Sequence, residues 1–332
     1  MMKKTVCVLC GGKSAEHEIS LLSANNVLEV IDREKFEPSL VKIDKSGRWQ
    51  INDVMRYDVV FPILHGPFGE DGTIQGLLKI AGIPFVGPGV LGSAVGMDKD
   101  VMKRLLRDAG IPIGKFITVK NSEKLPSFSE AEKAIGKPIF IKPANMGSSV
   151  GISKVNNETE YAAAARLAFQ YDAKIIMEEF IGGREIECAV LGNENPIASA
   201  PGEIITSHEF YSYDAKYLDE KGATLQIPAR LDENTEKRVR ELAVKVFQTL
   251  CCEGLSRVDF FLRDGKSADS VSALQSCEII VNEINTMPGF TRMSMYPKMW
   301  EASGISYKDL ITRLIELALA RFEKENKLKT SY

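Results

Sequence analysis

A short apolar run that ends in two glycines and leads into a helix-spaced segment opens the chain. Residues 5–10 are apolar or β-branched and precede Gly11-Gly12, and residues 20–30 carry apolar side chains at helical spacing. A second apolar run, at 58–64, also ends in glycine-rich sequence. A strand, a glycine turn and a helix in succession begin an α/β unit, in which the helix N-terminus often faces a ligand. The chain is therefore predicted to begin with an α/β domain.

The length of the chain and two changes in its character predict three domains. A chain of 332 residues exceeds what one hydrophobic core accommodates. The sequence becomes more charged and helical after Gly96, and it changes again after the glycine pair Gly182-Gly183. The coarse fold class is α/β and α+β. We expect the domains over residues 1–96, 97–183 and 184–332.

The charge balance argues against a polyanionic partner. The chain has 42 Lys and Arg against 45 Asp and Glu, a formal net charge of -3. This balance gives no electrostatic reason to expect nucleic acid or an anionic membrane surface as a partner. An anionic ligand then has to be met by locally placed Lys and Arg side chains. Only three histidines occur, which disfavours a histidine-rich zinc or iron centre and leaves a carboxylate-bound metal open.

The N-terminus and the cysteine usage predict a cytoplasmic protein. No apolar run reaches the length of a signal-peptide core or a membrane span. The six cysteines are accordingly expected as reduced thiols. Cys7 and Cys10 form a C-x-x-C pattern in an apolar run without a second pair, which favours buried core thiols over redox or zinc chemistry. The same prediction covers Cys251 and Cys252, which fall within a helical pattern.

The segment 142–151, KPANMGSSVG, combines a lysine with glycines and serines between two strand-like runs. Glycine and serine allow backbone N–H groups to close on phosphate oxygens, and Lys142 can supply a point charge. The segment is not a Walker A loop, because no Gly-Lys-Ser/Thr ends it and no helix follows. A glycine-rich flap over a nucleotide and a plain surface hairpin are the two interpretations.

Asp259, Glu283 and Asn285 offer oxygen-bearing side chains on two strand-like runs. Residues two apart on a strand face the same side, so Glu283 and Asn285 are predicted to point together. Magnesium prefers such hard oxygen ligands and commonly shares them with substrate phosphates. A solvated strand face is the alternative, but the surrounding residues are strongly apolar. Arg257, two residues before Asp259, would face the same cleft and could stabilise developing negative charge.

Two further segments could hold a substrate. Residues 14–20 follow the first strand, and Glu16 is a candidate to hold a substrate ammonium group. The alternative is a helix start in which Ser14 is the N-cap and the acidic residues complement the helix dipole. A Pro-Gly turn follows the oxygen-bearing strand, and the N–H group of Gly289 is a candidate donor to an oxyanion.

These segments, in this order, resemble the D-alanine–D-alanine ligase family of ATP-grasp enzymes. The resemblance runs from residue 5 to about residue 320, and seven pieces in register make it specific. It implies an ATP-grasp fold of three domains around a central cleft: an N-terminal Rossmann-like domain and two ATP-grasp subdomains. The pieces are GGKSAEHEIS (11–20), LHG (64–66) with GEDGTIQG (69–76), MDK (97–99), KP (142–143) with GSSVG (147–151), YDAKY (213–217), RVD (257–259) and NEINTMPG (282–289).

The resemblance implies ATP and two magnesium ions as cofactors, with manganese as a substitute ion. Lys99 and Lys142 match lysines that contact the ATP phosphates, and residues 147–151 match the flap over them. Residues 178–181 match the adenine-binding hinge. The nucleotide-binding positions are thus expected to be Lys99, Lys142, Gly147, Ser148, Ser149, Glu178, Phe180, Ile181, Glu185 and Lys216. The expected magnesium ligands are Asp259, Glu283 and Asn285.

The same resemblance implies the amino-acid subsites. Glu16 matches the acid that holds the ammonium group of the first D-alanine, and His65 lies beside that substrate. Ser294 aligns with the serine that receives the carboxylate of the second substrate, and Met295 helps to shape that subsite. The catalytic groups are expected to be Glu16, Ser148, Tyr217, Arg257 and Gly289.

The five expected catalytic residues fall into two sets with different roles. Arg257 and the Gly289 N–H group match the groups that face the reacting carbonyl oxygen. Glu16, Ser148 and Tyr217 match a hydrogen-bonded trio that locks a mobile loop, residues 207–223, over the site.

The family chemistry joins two D-alanine molecules at the cost of one ATP. The first carboxylate attacks the γ-phosphate to give an acyl phosphate and ADP, and the amine of the second D-alanine then displaces phosphate. Two D-alanine molecules and ATP are therefore the expected ligands, and a homodimer is expected from the resemblance alone. Tyr217 favours dipeptide formation, whereas Arg292 and Met293 depart from the smaller polar residues or the histidine that relatives often carry there. A ligase that takes D-serine or D-lactate second is the alternative; a non-catalytic nucleotide-binding regulator is disfavoured.

Overall fold

The structure is a computed structural model that describes residues 3–206, 223–263 and 277–329. Lys216 and Tyr217 lie outside the described residues, as does all of the predicted 207–223 loop except residue 223. The polar stretch at 264–276 also lies outside them.

Within those ranges the chain forms thirteen strands and nine α-helices. The strands are β1 (Lys4–Gly11), β2 (Phe36–Ile43), β3 (Val59–Ile63), β4 (Phe116–Val119), β5 (Ile139–Pro143), β6 (Ser153–Val155), β7 (Ile175–Glu179), β8 (Arg184–Gly192), β9 (Ile197–Ala198), β10 (Gly202–Thr206), β11 (Ala223–Gln226), β12 (Gly254–Arg263) and β13 (Glu278–Asn285). The helices are α1 (His17–Val30), α2 (Thr73–Ile80), α3 (Val90–Met97), α4 (Lys99–Asp108), α5 (Phe128–Ile135), α6 (Glu158–Ala168), α7 (Glu233–Thr249), α8 (Met295–Ala302) and α9 (Tyr307–Glu325). None of these helices is long and apolar enough to cross a membrane.

The N-terminal part of the chain forms a parallel sheet in the order β2-β1-β3. Its central strand, β1, is fully buried from Val6 to Cys10, as expected for a parallel strand covered on both faces. The turn after β1 uses Gly11 and Gly12 at φ angles of 93° and 97°, and α1 follows. The prediction that the chain begins with an α/β unit is confirmed.

Helix α1 begins before the helical spacing at residues 20–30, but it does not begin at Ser14. Glu16 occupies the N-cap position and His17 is the first helical residue. The Ser14 hydroxyl instead accepts a hydrogen bond from the Glu16 N–H group at 3.1 Å and closes a local turn. The alternative interpretation, in which Ser14 is the N-cap, is therefore wrong, because this turn precedes the helix and engages the hydroxyl.

The other two sheets are antiparallel around their central strands and lie further along the chain. One has the order β4-β7-β5-β6, and the other has the order β11-β10-β8-β12-β13 with β9 paired to β8. An isolated parallel bridge between Ile113 and Val281 connects the segment before β4 to β13. Met102 and Leu106 of α4 belong to the same buried cluster as Val281 and Ile284 of β13, so α4 packs near this edge strand.

The N-terminal and C-terminal parts of the chain share one hydrophobic core. Val8 and Phe61 from the parallel sheet belong to the same buried cluster as Tyr296 and Trp300 from α8. The rings of Phe61 and Phe290 meet edge to face, with centroids 5.4 Å apart. This packing holds the segment between β13 and α8 against the parallel sheet. The two boundaries between the three predicted domains stay predictions.

The cysteines follow the prediction except at one position. Cys7, Cys10 and Cys252 are buried free thiols, and burial raises the pKa of Cys7 to about 12 and that of Cys10 to about 11. Thiols with such raised pKa values are unreactive at neutral pH. Cys251 is exposed, because α7 ends at Thr249 and Cys251 turns out of it with a φ angle of 54°.

Candidate active site

The predicted oxygen-bearing residues come together on the paired strands β12 and β13. Asp259 lies opposite Glu283, and Arg257 lies opposite Asn285. The Asn285 amide donates a hydrogen bond to Asp259 Oδ2 at 2.9 Å. We call Asp259, Glu283 and Asn285 the oxygen cluster. The prediction that Glu283 and Asn285 point to the same side of their strand, beside Asp259, is thus confirmed.

Arg257 is held against the oxygen cluster by two carboxylates. Its Nε and Nη2 atoms donate to the two carboxylate oxygens of Asp259 at 2.7 and 2.8 Å. Its Nε atom also lies 2.9 Å from Glu187 Oε2 on the neighbouring strand β8. Burial by itself would lower the pKa of Arg257, but Asp259 and Glu187 together raise it well above its usual value. Arg257 is therefore a fixed positive charge beside the cluster.

Sequence reasoning missed Glu187. A local signal existed, because Glu185 and Glu187 alternate on β8 and so face the same side. Pairing of β8 with β12 then places Glu187 opposite Asp259 and Glu185 opposite Phe261. That pairing follows from the three-dimensional order of the strands, which the residue spacing alone does not supply.

The oxygen cluster fits a magnesium ion that is shared with a substrate. No group of three His, Cys, Asp or Glu side chains in the described ranges could hold a metal ion by itself. The cluster instead supplies two carboxylates and one amide. Magnesium usually keeps several waters and is bound through one or two carboxylates together with substrate phosphates. The donor set therefore suits that ion better than a dedicated all-protein cage.

Two buried lysines predicted to contact phosphate lie next to this cluster. Lys99 donates from Nζ to the Met146 carbonyl at 2.7 Å, and the same atom lies 3.5 Å from Glu283 Oε2. Lys142, on β5, forms an ion pair with Glu178 on the adjacent strand β7. Burial alone would lower the pKa of Lys142, but the charges of Glu178 and Glu283 raise it. Buried cationic side chains and partly buried oxygen ligands thus lie side by side in one site.

The segment 144–152 forms the connection between β5 and β6, as the hairpin interpretation required. Ser148 and Ser149 have φ angles of 53° and 61°, in the left-handed region that non-glycine residues rarely occupy. The Ser148 hydroxyl donates a hydrogen bond to Glu16 Oε1. A Cβ atom added to Gly147 would lie 3.8 Å from Glu16 Oε2. The hairpin therefore reaches onto the N-terminal part of the chain, as a flap would.

The predicted adenine hinge, residues 178–181, begins in the last two residues of β7 and continues beyond it. The Phe180 ring is 43% exposed and stacks on Phe140 with centroids 6.0 Å apart, and the Lys154 amine lies 5.3 Å from its centroid. Ile181 is buried, and a Cβ atom added to Gly114 would lie 2.7 Å from its Cδ1 atom. The hinge thus offers an aromatic surface beside the buried lysines.

His65 lies in a buried polar pocket at the end of β3. Its Nδ1 atom is 3.1 Å from the Met287 carbonyl and 3.7 Å from Glu70 Oε1, and its Nε2 atom is 3.4 Å from Ser23 Oγ. Burial would lower the pKa of His65, but Glu70 and Glu16 raise it above the usual value. Burial raises the pKa of Glu70, although Gly66 N–H donates to that carboxylate at 2.9 Å.

The segment between β13 and α8 is tightly organised around Ser294. Ser294 Oγ accepts a hydrogen bond from Thr291 N–H at 2.9 Å and lies 2.8 Å from Thr291 Oγ1. A Cβ atom added to Gly289 would lie only 2.7 Å from Ser294 Oγ, so glycine is required for this close approach. Met295 is buried in the core shared with Trp300. Its predicted contribution to a second subsite stays a prediction.

The sequence resembles characterised protein families over its full length. The family model described as D-ala D-ala ligase C-terminus matches residues 105–316, and the one described as D-ala D-ala ligase N-terminus matches 5–57 and 50–88. The chain is 48% identical to a D-alanine–D-alanine ligase of Oceanobacillus iheyensis, with 99% of both chains covered. It is 47% identical to D-alanine–D-alanine ligase A of Salmonella typhimurium, with both chains covered completely.

Solved structures show the same relationship. The D-alanine–D-alanine ligase of Coxiella burnetii superposes with a TM-score of 0.85 at 37% identity, covering 98% of this chain and 97% of that one. The VanG D-Ala:D-Ser ligase of Enterococcus faecalis superposes with a TM-score of 0.82 at 38% identity, covering 96% and 100%. The predicted ATP-grasp fold is thereby confirmed. The chain belongs to the D-alanine–D-alanine ligase family.

Proposed function

We propose that this chain joins two D-alanine molecules to D-alanyl-D-alanine, with ATP converted to ADP and phosphate. The observation that carries the proposal is the 3.5 Å separation of Lys99 Nζ from Glu283 Oε2. The buried ammonium group of Lys99, which we propose binds phosphate, thus lies beside the carboxylate of Glu283, which we propose as a metal ligand. Phosphoryl transfer needs both in one place, because catalysis consists largely of positioning and charge neutralisation. The product would serve as a peptidoglycan precursor.

The first step is transfer of the γ-phosphoryl group. One carboxylate oxygen of the first D-alanine attacks the γ-phosphorus atom, the bond to the β,γ-bridging oxygen breaks, and ADP leaves with that electron pair. Lys99 and Lys142 neutralise phosphate charge, and Glu16 holds the ammonium group of the amino acid. Asp259, Glu283 and Asn285 would hold magnesium ions, which neutralise phosphate oxygens when bound.

The second step forms the amide bond. The amine of the second D-alanine attacks the carbonyl carbon of the acyl phosphate, and phosphate leaves from a tetrahedral intermediate as the nitrogen loses a proton. Arg257 and the Gly289 N–H group are the proposed donors to the intermediate's oxygen, and Ser294 receives the carboxylate of the second substrate. His65 lies beside the first substrate. Closure of the 147–151 flap onto Glu16 excludes water, which would otherwise hydrolyse the acyl phosphate.

Other proposed properties rest on family resemblance. The residues assigned to ATP at the hinge are Glu178, Phe180, Ile181 and Glu185, and a relative from Bacillus anthracis has been solved complexed with ATP. We infer magnesium as the metal, with manganese as a substitute, and a cytoplasmic homodimer as the working form.

The second candidate is a ligase that takes D-serine as its second substrate, which the similarity to the VanG D-Ala:D-Ser ligase favours. Competition between D-alanine, D-serine and D-lactate, with products separated by mass, decides between the two. We expect ADP release that depends on D-alanine and magnesium, with D-alanyl-D-alanine as the main product. A mixed dipeptide as the main product would establish the second candidate. Absence of any D-alanine-stimulated turnover would refute both.

A further inference from the structure

Lys103 is a buried lysine to which the reaction described above assigns no role. Its side chain is 2% exposed, and its Nζ atom lies 2.7 Å from Glu178 Oε1. The other oxygen of the same carboxylate forms the ion pair with Lys142. Lys103 lies four residues after Lys99 on α4, so both lysines project from the same face of that helix. One carboxylate is therefore shared between two buried ammonium groups.

The sharing has an electrostatic consequence. A carboxylate can balance one of the two lysines, so the group of Lys103, Glu178 and Lys142 keeps one positive charge. Burial by itself would raise the pKa of Glu178, but Lys103 and Lys142 outweigh it and hold the pKa at about 2. Glu178 thus stays ionised at every physiological pH. The charge of Glu283 also acts on Lys142, but Glu283 lies 3.5 Å from Lys99 as well. Lys99, Lys103 and Lys142 together therefore face the two carboxylates of Glu178 and Glu283, and an anion that binds among these lysines is stabilised by their excess positive charge.

Without Lys103, Glu178 and Lys142 would form a balanced pair. Lys142 would then have to leave its only close carboxylate partner in this group before it could contact a phosphate. With Lys103 present, Glu178 remains neutralised when the Lys142 ammonium group turns to the nucleotide. The arrangement lets Lys142 exchange one anion for another without leaving a buried carboxylate unpaired.

We propose that Lys103 is a positioning residue that neutralises and orients Glu178, so that the Lys142 ammonium group is available to the nucleotide phosphates. This inference rests on the proposed function, because it requires that ATP binds at Lys142. Lys103 itself need not touch the nucleotide. Its effect on the nucleotide is indirect: Lys103 contacts Glu178, and Glu178 contacts Lys142.

The test compares Lys103→Met with the double variant Lys103→Met/Glu178→Gln. Binding of ADP with magnesium is measured by calorimetry, and KM for ATP, KM for D-alanine and kcat are measured separately. Lys103→Met should weaken ADP binding and raise KM for ATP by roughly 10- to 100-fold. This is the loss in affinity or activity that typically follows removal of a residue that holds a metal ligand in place. KM for D-alanine should stay unchanged. The matched control is Lys237→Met, whose side chain is 74% exposed on α7.

The double variant separates positioning from packing. Because Glu178 is itself assigned to the nucleotide-binding hinge, the reference for the double variant is Glu178→Gln alone. If Lys103 acts through Glu178, Lys103→Met should have little further effect on nucleotide affinity once Glu178 is replaced by Gln. If Lys103 has a purely structural role, Lys103→Met should lower thermal stability in either background without changing KM for ATP in the folded fraction. The inference would be overturned by unchanged nucleotide binding in folded Lys103→Met, or by a loss of affinity on adding Lys103→Met that is equally large with and without Glu178→Gln. If the unmodified chain bound no ADP in the presence of magnesium, the proposed function would instead be refuted.

Discussion

The Ser148 hydroxyl donates a hydrogen bond to the Glu16 carboxylate, although 132 positions separate the two residues. Ser148 and Ser149 hold positive φ angles, a conformation that costs energy in a non-glycine residue and persists where the surrounding structure enforces it. The strained tip of the flap thus rests on the group proposed to hold the ammonium of the first D-alanine. Flap closure and substrate binding are therefore expected to depend on each other.

Ser148→Ala should weaken this dependence. A hydrogen bond to a charged group contributes about 1.5–3 kcal/mol, so we expect kcat/KM for D-alanine to fall roughly 10- to 100-fold. Because the flap would close less completely, more acyl phosphate should be lost to water, and more ADP should form per dipeptide. Coupled ADP release and mass detection of the dipeptide measure both quantities. Ser122→Ala, at an exposed position, is the control; an unchanged ADP-to-dipeptide ratio in Ser148→Ala would contradict the role of the flap.

Glu283→Gln tests the oxygen cluster. The amide cannot supply the negative charge of the carboxylate, so the magnesium concentration for half-maximal rate should rise, by roughly 10-fold or more. Glu278→Gln on the same strand is the matched control, because its side chain is 55% exposed and pairs with Arg263. The measurement is the rate of ADP release against magnesium concentration at saturating ATP and D-alanine. Equal magnesium dependence in the two variants would exclude Glu283 as a ligand.

The geometry of the oxygen cluster could be predicted because it depends on a local rule. Side chains alternate along a strand, so Glu283 and Asn285 share a face whatever the rest of the fold does. A phosphate-binding role for Lys142 is likewise a prediction from local sequence, because a glycine-rich hairpin follows this lysine. Resemblance to a family then connected these separate segments into one site.

The partners of these residues could not be predicted in the same way. Glu178 follows Lys142 by 36 positions, and only the antiparallel pairing of β5 with β7 brings their side chains together. Lys103 joins them from a helix, and Glu187 meets Arg257 from a third strand. Such contacts depend on the tertiary order of strands and helices. The start of α1 escaped prediction for a related reason, since Ser14 had two local hydrogen-bonding options and took the turn.

Gly289→Ala should disturb the second subsite specifically. The added Cβ atom would lie 2.7 Å from Ser294 Oγ, so the serine or the backbone has to move. Because Ser294 is proposed to receive the carboxylate of the second D-alanine, KM for that substrate should rise and dipeptide formation should slow by roughly 100-fold, the effect of a displacement of about 1 Å. Initial rates over a range of D-alanine concentrations give separate KM values for the first and the second D-alanine subsite.

A glycine inside helix α2 provides the control for that variant. Gly76 lies inside α2, and no atom comes within 4 Å of a Cβ atom added there. Gly76→Ala should therefore keep full activity and stabilise the fold by about 0.5–1 kcal/mol. If Gly289→Ala behaved like Gly76→Ala in the rate assay, the proposed contact of Ser294 with the second substrate would be wrong.

The raised pKa of His65 predicts that its contribution to stability depends on pH. Protonated His65 is stabilised by Glu70 and Glu16, so its folded-state pKa lies above the usual 6.5. This contribution is fully present below about pH 6.5 and is lost as the pH rises through the folded-state pKa. The difference in the free energy of unfolding between the unmodified chain and His65→Gln should therefore shrink over the upper part of the range from about pH 5 to 8. Urea unfolding at several pH values measures it. A difference that stays constant, or that grows with pH, would show that His65 is neutral in the folded protein.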